Sequence, residues 1–197
     1  MEFSITPHVS VIDRHSALSK RQAERFHAGV ILNKLLSPAD HSVYNIGHED
    51  YGKPYIIERR DVNISISHSY EMLAMLLTDA FHAPGVDIEC LKNRVEGIAP
   101  RFLSVEELLW VEKSSQRLEL LHILWSAKET AFKIFNPTGG NFIKSFLIRP
   151  IMRLEDEGVF SLSYKQQAID IPINYKITDR YVLTWSNPAY KDLKIAP

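Results

Sequence analysis

Residues 61–90 read DVNISISHSYEMLAMLLTDAFHAPGVDIEC and contain three successive patterns that are typical of β-strands. In residues 61–69, apolar side chains alternate with small polar ones, which predicts a strand with one apolar and one polar face. Residues 72–78 are almost continuously apolar, as expected for a central strand that is covered on both faces. A Pro-Gly pair opens the third predicted strand, at residues 84–90.

Helical spacing of apolar residues predicts three helices, over residues 19–36, about 104–113 and about 117–135. Residues 94–101 are predicted to be a connector. Four further strand patterns follow the last helix, at residues 142–148, 158–164, 169–177 and 181–185.

Strands and helices therefore come in separate blocks, which favours an α+β fold with mainly antiparallel sheets. The order of the elements indicates two similar halves, residues 1–95 and 96–197, each with a sheet and packed helices. Strand and helix patterns occur on both sides of residue 95, so we expect both halves to contribute to one fold.

The composition of the 197-residue chain is that of an ordinary globular protein, with 45% hydrophobic and 24% charged residues. With 23 Lys and Arg against 24 Asp and Glu, the net charge of -1 argues against nucleic-acid binding through overall charge. A single cysteine, Cys90, excludes an intramolecular disulfide and a Cys-based zinc cluster. No signal-peptide pattern or membrane-length apolar run is present, so we expect a soluble cytoplasmic protein.

Two acids, Asp87 and Glu89, are the sharpest chemical signal in the sequence. On a strand they share one face, with stems about 7 Å apart, where their charges repel unless a cation lies between them. Oxygen ligands of this kind suit Mg²⁺. The alternative is a solvent-facing strand edge that carries two acids by chance.

A third acid, Glu129, lies in the last predicted helix, beside an apolar stripe that includes Trp125 and Phe132. An uncompensated carboxylate there is unfavourable, so a metal or a cation is expected as its partner. Lys133 is four residues further on and could form an ordinary helical ion pair with Glu129. The sequence leaves both possibilities open.

Groups that could bind phosphate occur earlier in the chain. The hydroxyls and imidazole of Ser67-His68-Ser69 can donate hydrogen bonds to phosphate oxygens, although His68 could equally be bonded within the fold. Lys20, Arg21 and Arg25 lie near the start of the first helix, where positive charge is unfavourable for the helix dipole. They could meet an anionic ligand or form a solvated basic face.

Taken together, these motifs resemble the 4'-phosphopantetheinyl transferase superfamily in order and spacing, from about residue 25 to about residue 146. The length resembles the single-chain, surfactin-type class, in which two similar α+β halves form a pseudo-dimer. The motifs that carry the resemblance are Gly52-Lys53-Pro54, Asn63-Ile64-Ser65-Ile66-Ser67-His68-Ser69, Gly85-Val86-Asp87-Ile88-Glu89, and Trp125-Ser126-Ala127-Lys128-Glu129 with Lys133.

The resemblance implies transfer of 4'-phosphopantetheine from coenzyme A to a serine of an acyl or peptidyl carrier protein, with Mg²⁺ or Mn²⁺ and release of 3',5'-ADP. It also implies a monomer. Asp87, Glu89 and Glu129 would bind the metal, and Glu129 or a metal-bound water would help deprotonate the serine, with Asp87 and Lys133 also catalytic. The implied coenzyme A contacts are Arg25, Lys53, Pro54, Ser67, His68, Lys128 and Lys133, of which His68 would meet the 3'-phosphate.

The chain departs from the family pattern at Tyr70, where glycine is common, and at Gly139-Gly140-Asn141, which lacks a common lysine. Carriers of this family are usually acidic, so a basic docking patch is expected. Its candidates are Lys92, Arg94, Arg101 and Lys113.

Two other functions remain open at this point. A non-catalytic coenzyme A-binding module would keep the cleft without turnover. A Mg²⁺-dependent phosphohydrolase would use the same acids with water as the nucleophile.

Overall fold

A computed structural model describes residues 7–12, 18–36, 42–92, 94–136, 145–151 and 153–186. These residues form an α+β structure with antiparallel sheets, as the sequence predicts. In chain order the elements are β1 (His8–Val11), α1 (Lys20–Leu36), β2 (Ile46–His48), β3 (Pro54–Ile56), β4 (Val62–Ser69), β5 (Met72–Asp79), β6 (Val86–Cys90), α2 (Arg94–Phe102), α3 (Val105–Val111), α4 (Arg117–Phe135), β7 (Phe146–Ile148), β8 (Glu157–Tyr164), β9 (Ile169–Ile177) and β10 (Tyr181–Ser186).

A three-stranded sheet of order β1-β5-β4 forms the first half, with α1 packed on one face. Strand β5 is central in this sheet, as predicted. Its Leu73 and Met75 face the α1 core, whereas Ala74 and Leu76 pack against β6 and β10. The apolar run is continuous because both faces of the strand are buried.

A five-stranded sheet of order β6-β10-β9-β8-β7 forms the second half, and helix α4 packs against it. Strand β6 pairs with β10, with Asp87 opposite Thr184. The chain therefore changes sheets between β5 and β6, earlier than residue 95. A boundary at residue 95 stays a prediction, but β6 hydrogen-bonds with strands of the second half.

The prediction of a connector over residues 94–101 is wrong, because these residues begin helix α2. The segment contains Gly97 and Pro100, two residue types that commonly interrupt helices. Val95, Ala99 and Phe102 are nevertheless buried at helical spacing, so packing against the core outweighs the poor helix propensity of Gly and Pro. The short strands β1, β2 and β3 were not predicted as strands, and of the strand predicted at 142–148 residues 142–144 lie outside the described residues.

Helix α4 lies very close to the start of β6. A β-carbon added to Gly85 would lie 2.6 Å from the carbonyl oxygen of Thr130, so only glycine allows this approach. The Thr130 hydroxyl also hydrogen-bonds to the Thr184 hydroxyl at 2.7 Å, which ties α4 to β10. These contacts fix the position of α4 relative to the acids on β6.

Lys128 anchors the opposite side of α4 in the core. Its side chain is 0% exposed, and its ammonium donates to the Phe102 carbonyl at 2.8 Å and to Glu107 Oε2 at 2.7 Å. Glu107 also accepts from the backbone N–H of Ser104 and of Ile148. One buried ion pair thus joins α2, α3, α4 and β7.

Replacing Lys128 by methionine tests this anchor, because it leaves the Glu107 charge buried without its partner. We expect a loss of about 3–5 kcal/mol in the free energy of unfolding, measured by urea denaturation. The control is Lys113→Met, which replaces an exposed lysine and should change the free energy of unfolding by less than about 0.5 kcal/mol. A loss below about 1 kcal/mol for Lys128→Met would show that the pair does not anchor α4.

Candidate active site

Three serines on one face of β4 bind strand β6 of the other sheet. Ser65 Oγ accepts from the Val86 N–H at 3.1 Å, Ser67 Oγ donates to Asp87 Oδ1 at 2.7 Å, and Ser69 Oγ donates to Glu89 Oε2 at 3.0 Å. The alternating polar face predicted for this strand is therefore buried between the two halves. It meets the acidic face of β6.

Asp87 is buried and ionically paired. Its Oδ1 accepts from the ammonium of Lys133 at 2.9 Å, and Lys133 also donates to the Val86 carbonyl at 2.8 Å. Among the described residues, Lys133 thus pairs with Asp87 on β6 rather than with Glu129 on its own helix. The other oxygen, Asp87 Oδ2, is buried and has no hydrogen-bond partner within the described part of the chain.

Both oxygens of Glu89 accept hydrogen bonds. Ser69 donates to Oε2, and the indole Nε1–H of Trp125 donates to Oε1 at 2.9 Å. Burial, followed by the Asp87 charge, raises the pKa of Glu89, while the two hydrogen bonds act in the opposite direction. Glu89 is thus held rigidly beside a like charge.

Glu129 completes the acidic group from helix α4. Burial raises the pKa of Glu129 to about 7, and the nearby Asp87 charge adds to this effect. Lys133 opposes the shift, and Glu89 contributes less than Asp87. The charges of Asp87 and Glu89 both act on Glu129, so the three predicted acids lie near one another. The effect of Asp87 on Glu129 is larger than that of Glu89.

The donor chemistry of this group suits a hard cation such as Mg²⁺, which takes one or two protein carboxylates and completes its shell with water and phosphate oxygens. Asp87 Oδ2 is a buried acceptor that needs a partner, and Glu129 is a carboxylate whose charge is destabilised by its neighbours. In the described residues, no three His, Cys, Asp or Glu side chains are arranged to hold a metal by themselves. The fit of these acids to a cation therefore rests on their chemistry, and a bound metal stays a prediction.

Two clefts lie beside the acids and share Gly52, Pro54 and Ile66 in their walls. The smaller, of about 260 Å³, contains Glu129 and Lys133. The larger, of about 800 Å³, lies against α1. The two clefts are therefore neighbours, and of the three acids Glu129 lines the smaller one.

Five of the predicted coenzyme A contacts line these two clefts. Lys53 and Pro54 are in the smaller cleft with Lys133, and Arg25, Pro54 and His68 are in the larger one. The His68 imidazole is half exposed and lies 3.5 Å from the Glu24 carboxylate.

The structure places two predicted contacts, Ser67 and Lys128, away from the walls of both clefts. Ser67 is buried and donates to Asp87, so its hydroxyl serves the acid rather than the cleft wall. Lys128 is enclosed in the core by Glu107 and Phe102, and its ammonium does not reach the cleft. Lys128 is predicted at the site as part of the motif that carries the family resemblance, but adjacent helical residues such as Lys128 and Glu129 point in different directions.

Tyr70 is not among the described residues that line either cleft. It has φ 53° in the turn between β4 and β5, a conformation that favours glycine, and the Lys92 ammonium lies 5.0 Å from its ring centroid. Gly139-Gly140-Asn141 lies outside the described residues.

The candidate docking residues Lys92, Arg94, Arg101 and Lys113 are all exposed, and their role stays a prediction.

Sequence reasoning missed the polar role of Trp125 and the presence of Glu24 in the larger cleft. Trp125 lies at helical spacing within an apolar stripe and stacks edge-on against Phe102, which makes it look like a core residue. Its position four residues before Glu129 is the signal that could have placed its indole near the acids. Glu24 lies three residues after Arg21 in α1, and the sequence does not distinguish it from an ordinary exposed acid on a helix.

Comparison with known proteins agrees with this geometry. A sequence model of the 4'-phosphopantetheinyl transferase superfamily matches residues 83–186, slightly more than half of the chain. The chain is also similar to a 4'-phosphopantetheinyl transferase of Bacillus subtilis, at 29% identity over 162 residues that span 75% of this chain and 70% of that protein. Within the described residues, no helix is long and apolar enough to cross a membrane.

The raised pKa of Glu129 predicts how stability changes with pH in metal-free protein. Between about pH 4.5 and about pH 7 the folded chain keeps a proton that the unfolded chain loses, so wild-type stability falls as pH rises through this window. Glu129→Gln removes this loss. In urea titrations with a chelator, the stability of the variant relative to the wild type should therefore be greater at about pH 8 than at about pH 5.

The exposed acid of Glu112→Gln provides the control for this experiment, and its effect should be similar at both pH values. If the Glu129→Gln difference is also the same at both, the Glu129 carboxyl is not perturbed in the folded protein.

Proposed function

The chain belongs to the 4'-phosphopantetheinyl transferase superfamily, and on that basis we propose that it transfers 4'-phosphopantetheine from coenzyme A to a serine of an acyl or peptidyl carrier protein. The reaction uses Mg²⁺ and releases 3',5'-ADP. The observation that supports this most directly is the pair of neighbouring clefts, one lined by Arg25 and His68 and the other by Lys133 and Glu129.

The larger cleft suits the nucleotide end of coenzyme A. Arg21 and Arg25 from α1 and His68 from β4 line it, so three groups that can carry positive charge face a ligand with a 3'-phosphate. Such groups form charge-assisted hydrogen bonds to phosphate oxygens. Lys53 and Pro54 then guide the molecule towards the smaller cleft.

The smaller cleft suits the pyrophosphate. Asp87, Glu89 and Glu129 would hold the metal beside the Glu129 wall of this cleft, where Mg²⁺ would supply charge neutralisation to the phosphates. Lys133 bridges Asp87 and the Val86 carbonyl, so its ammonium is fixed where it can also meet a phosphate oxygen. Phosphoryl transfer depends mainly on such positioning and charge compensation.

In the group-transfer step, the carrier serine oxygen bonds to the phosphorus that bears pantetheine. The bond from that phosphorus to the bridging oxygen breaks, and the electron pair leaves with 3',5'-ADP. Glu129 accepts the serine proton at one of its carboxylate oxygens. Its place at the wall of the smaller cleft supports this role.

An assay with coenzyme A, Mg²⁺ and apo-carrier proteins from the source organism tests the proposal. We expect the carrier to gain the mass of one phosphopantetheine, as seen by intact-protein mass spectrometry, and Glu129→Gln to lower the rate about 100-fold or more. The folding of the variant is checked by circular dichroism.

The same assay separates the other functions. Binding of coenzyme A without release of 3',5'-ADP would identify a non-catalytic module. Release of 3',5'-ADP at an equal rate without a carrier would identify a phosphohydrolase, and either result would contradict the transferase proposal.

The role of His68 is tested by comparing coenzyme A with 3'-dephospho-coenzyme A. His68→Ala should raise KM for coenzyme A about 10-fold, because one hydrogen bond to a charged phosphate is lost. With the dephospho substrate, the same substitution should change KM less than about twofold. Equal effects on both substrates would show that His68 does not contact the 3'-phosphate.

A further inference from the structure

The acids on β6 are held mainly by residues of other elements. Strand β4 of the first sheet supplies a hydroxyl to each of them, Ser67 to Asp87 and Ser69 to Glu89. All four side chains lie at the junction of two edge strands, β4 and β6, that belong to different sheets. The shape of the acidic group therefore depends on how the two halves dock.

Ser67 determines which oxygen of Asp87 is available. Its hydroxyl and the Lys133 ammonium both donate to Oδ1, at 2.7 and 2.9 Å. The carboxylate is thereby held in one rotation about its axis. This leaves Oδ2, which is buried and has no hydrogen-bond partner among the described residues, as the oxygen that a ligand can use.

Ser69 has a hydroxyl whose direction is fixed by its second contact. Its Oγ accepts from the backbone N–H of Cys90 at 3.1 Å, so its single proton is directed to Glu89 Oε2. Trp125 donates to the other oxygen of Glu89. Glu89 therefore cannot turn without breaking a hydrogen bond on one side or the other.

We propose that Ser67 and Ser69 are positioning residues, which act through Asp87 and Glu89 to set the metal affinity of the second half from the first. This inference rests on the proposed function, because it assumes that these acids serve a divalent cation. Partners that orient carboxylate ligands commonly change metal affinity by 10-fold or more when they are removed.

Ser65 provides a matched control. It lies on the same face of the same strand, is equally buried, and bonds to β6, but to the Val86 backbone N–H rather than to an acid. Ser65→Ala thus removes one hydrogen bond from the same junction and touches no carboxylate. A purely structural role for the serines would make all three alanine variants behave alike.

The experiment measures Mn²⁺ binding to the full chain, both without and with saturating coenzyme A, by the electron paramagnetic resonance signal of free Mn²⁺. Ser67→Ala and Ser69→Ala should raise the Kd for Mn²⁺ about 10-fold, whereas Ser65→Ala should raise it less than about twofold. Thermal unfolding of all three variants shows how much each one destabilises the fold.

A loss of Mn²⁺ affinity in Ser65→Ala equal to that of the other two would overturn the positioning role, as would unchanged affinity in Ser67→Ala and Ser69→Ala. Should an alanine variant fail to fold, Ser67→Thr and Ser69→Thr keep the hydroxyl and should retain wild-type affinity within about threefold. Loss of affinity in both threonine variants would also count against the inference. Wild-type protein that binds no Mn²⁺ would instead overturn the metal site of the proposed function.

Discussion

Repulsion among three partly or fully buried carboxylates is the constraint to which the rest of the structure responds. Burial raises the pKa of both Glu89 and Glu129, and the Asp87 charge raises it further in each. The fold offsets this repulsion with one ammonium, from Lys133, and with neutral donors such as the Trp125 indole. The charge that remains uncompensated is what a cation would satisfy.

This constraint accounts for the placement of α4 and β6. Gly85 allows the helix to come within contact distance of the strand, and the Lys128–Glu107 pair secures the far side of the helix in the core. The face of α4 that bears Glu129 and Lys133 is thereby presented to the acids on β6. Strand β4 closes the third side and also contributes His68 to the larger cleft. A single junction between the two sheets thus positions both the acids and the residues of the neighbouring clefts.

The sequence was sufficient to predict much of this arrangement. Alternation on β4 and the apolar run of β5 identified both strands, because a period of two directly reflects which face is buried. The spacing of Asp87 and Glu89 indicated a shared face, and the family resemblance indicated that Glu129 belongs with them.

Other features depend on contacts between residues that are distant in the chain. Helix α2 forms despite Gly97 and Pro100, since its apolar side packs on a core that local propensity does not describe. Lys128 and Glu129 are adjacent in sequence but point to opposite environments, which only the packing of α4 determines. The serine hydroxyls of β4 similarly appeared ready for a ligand, whereas their real partners are carboxylates about twenty residues further along the chain.

The central claim is that these acids hold a divalent cation against the pyrophosphate of coenzyme A. The most direct measurement is electron-nuclear double resonance on Mn²⁺ bound to the protein together with coenzyme A. We expect phosphorus-31 hyperfine couplings from the pyrophosphate, and we expect them to disappear when Asp87 is replaced by asparagine. Protein-bound Mn²⁺ that shows no phosphorus coupling in the presence of saturating coenzyme A would contradict it.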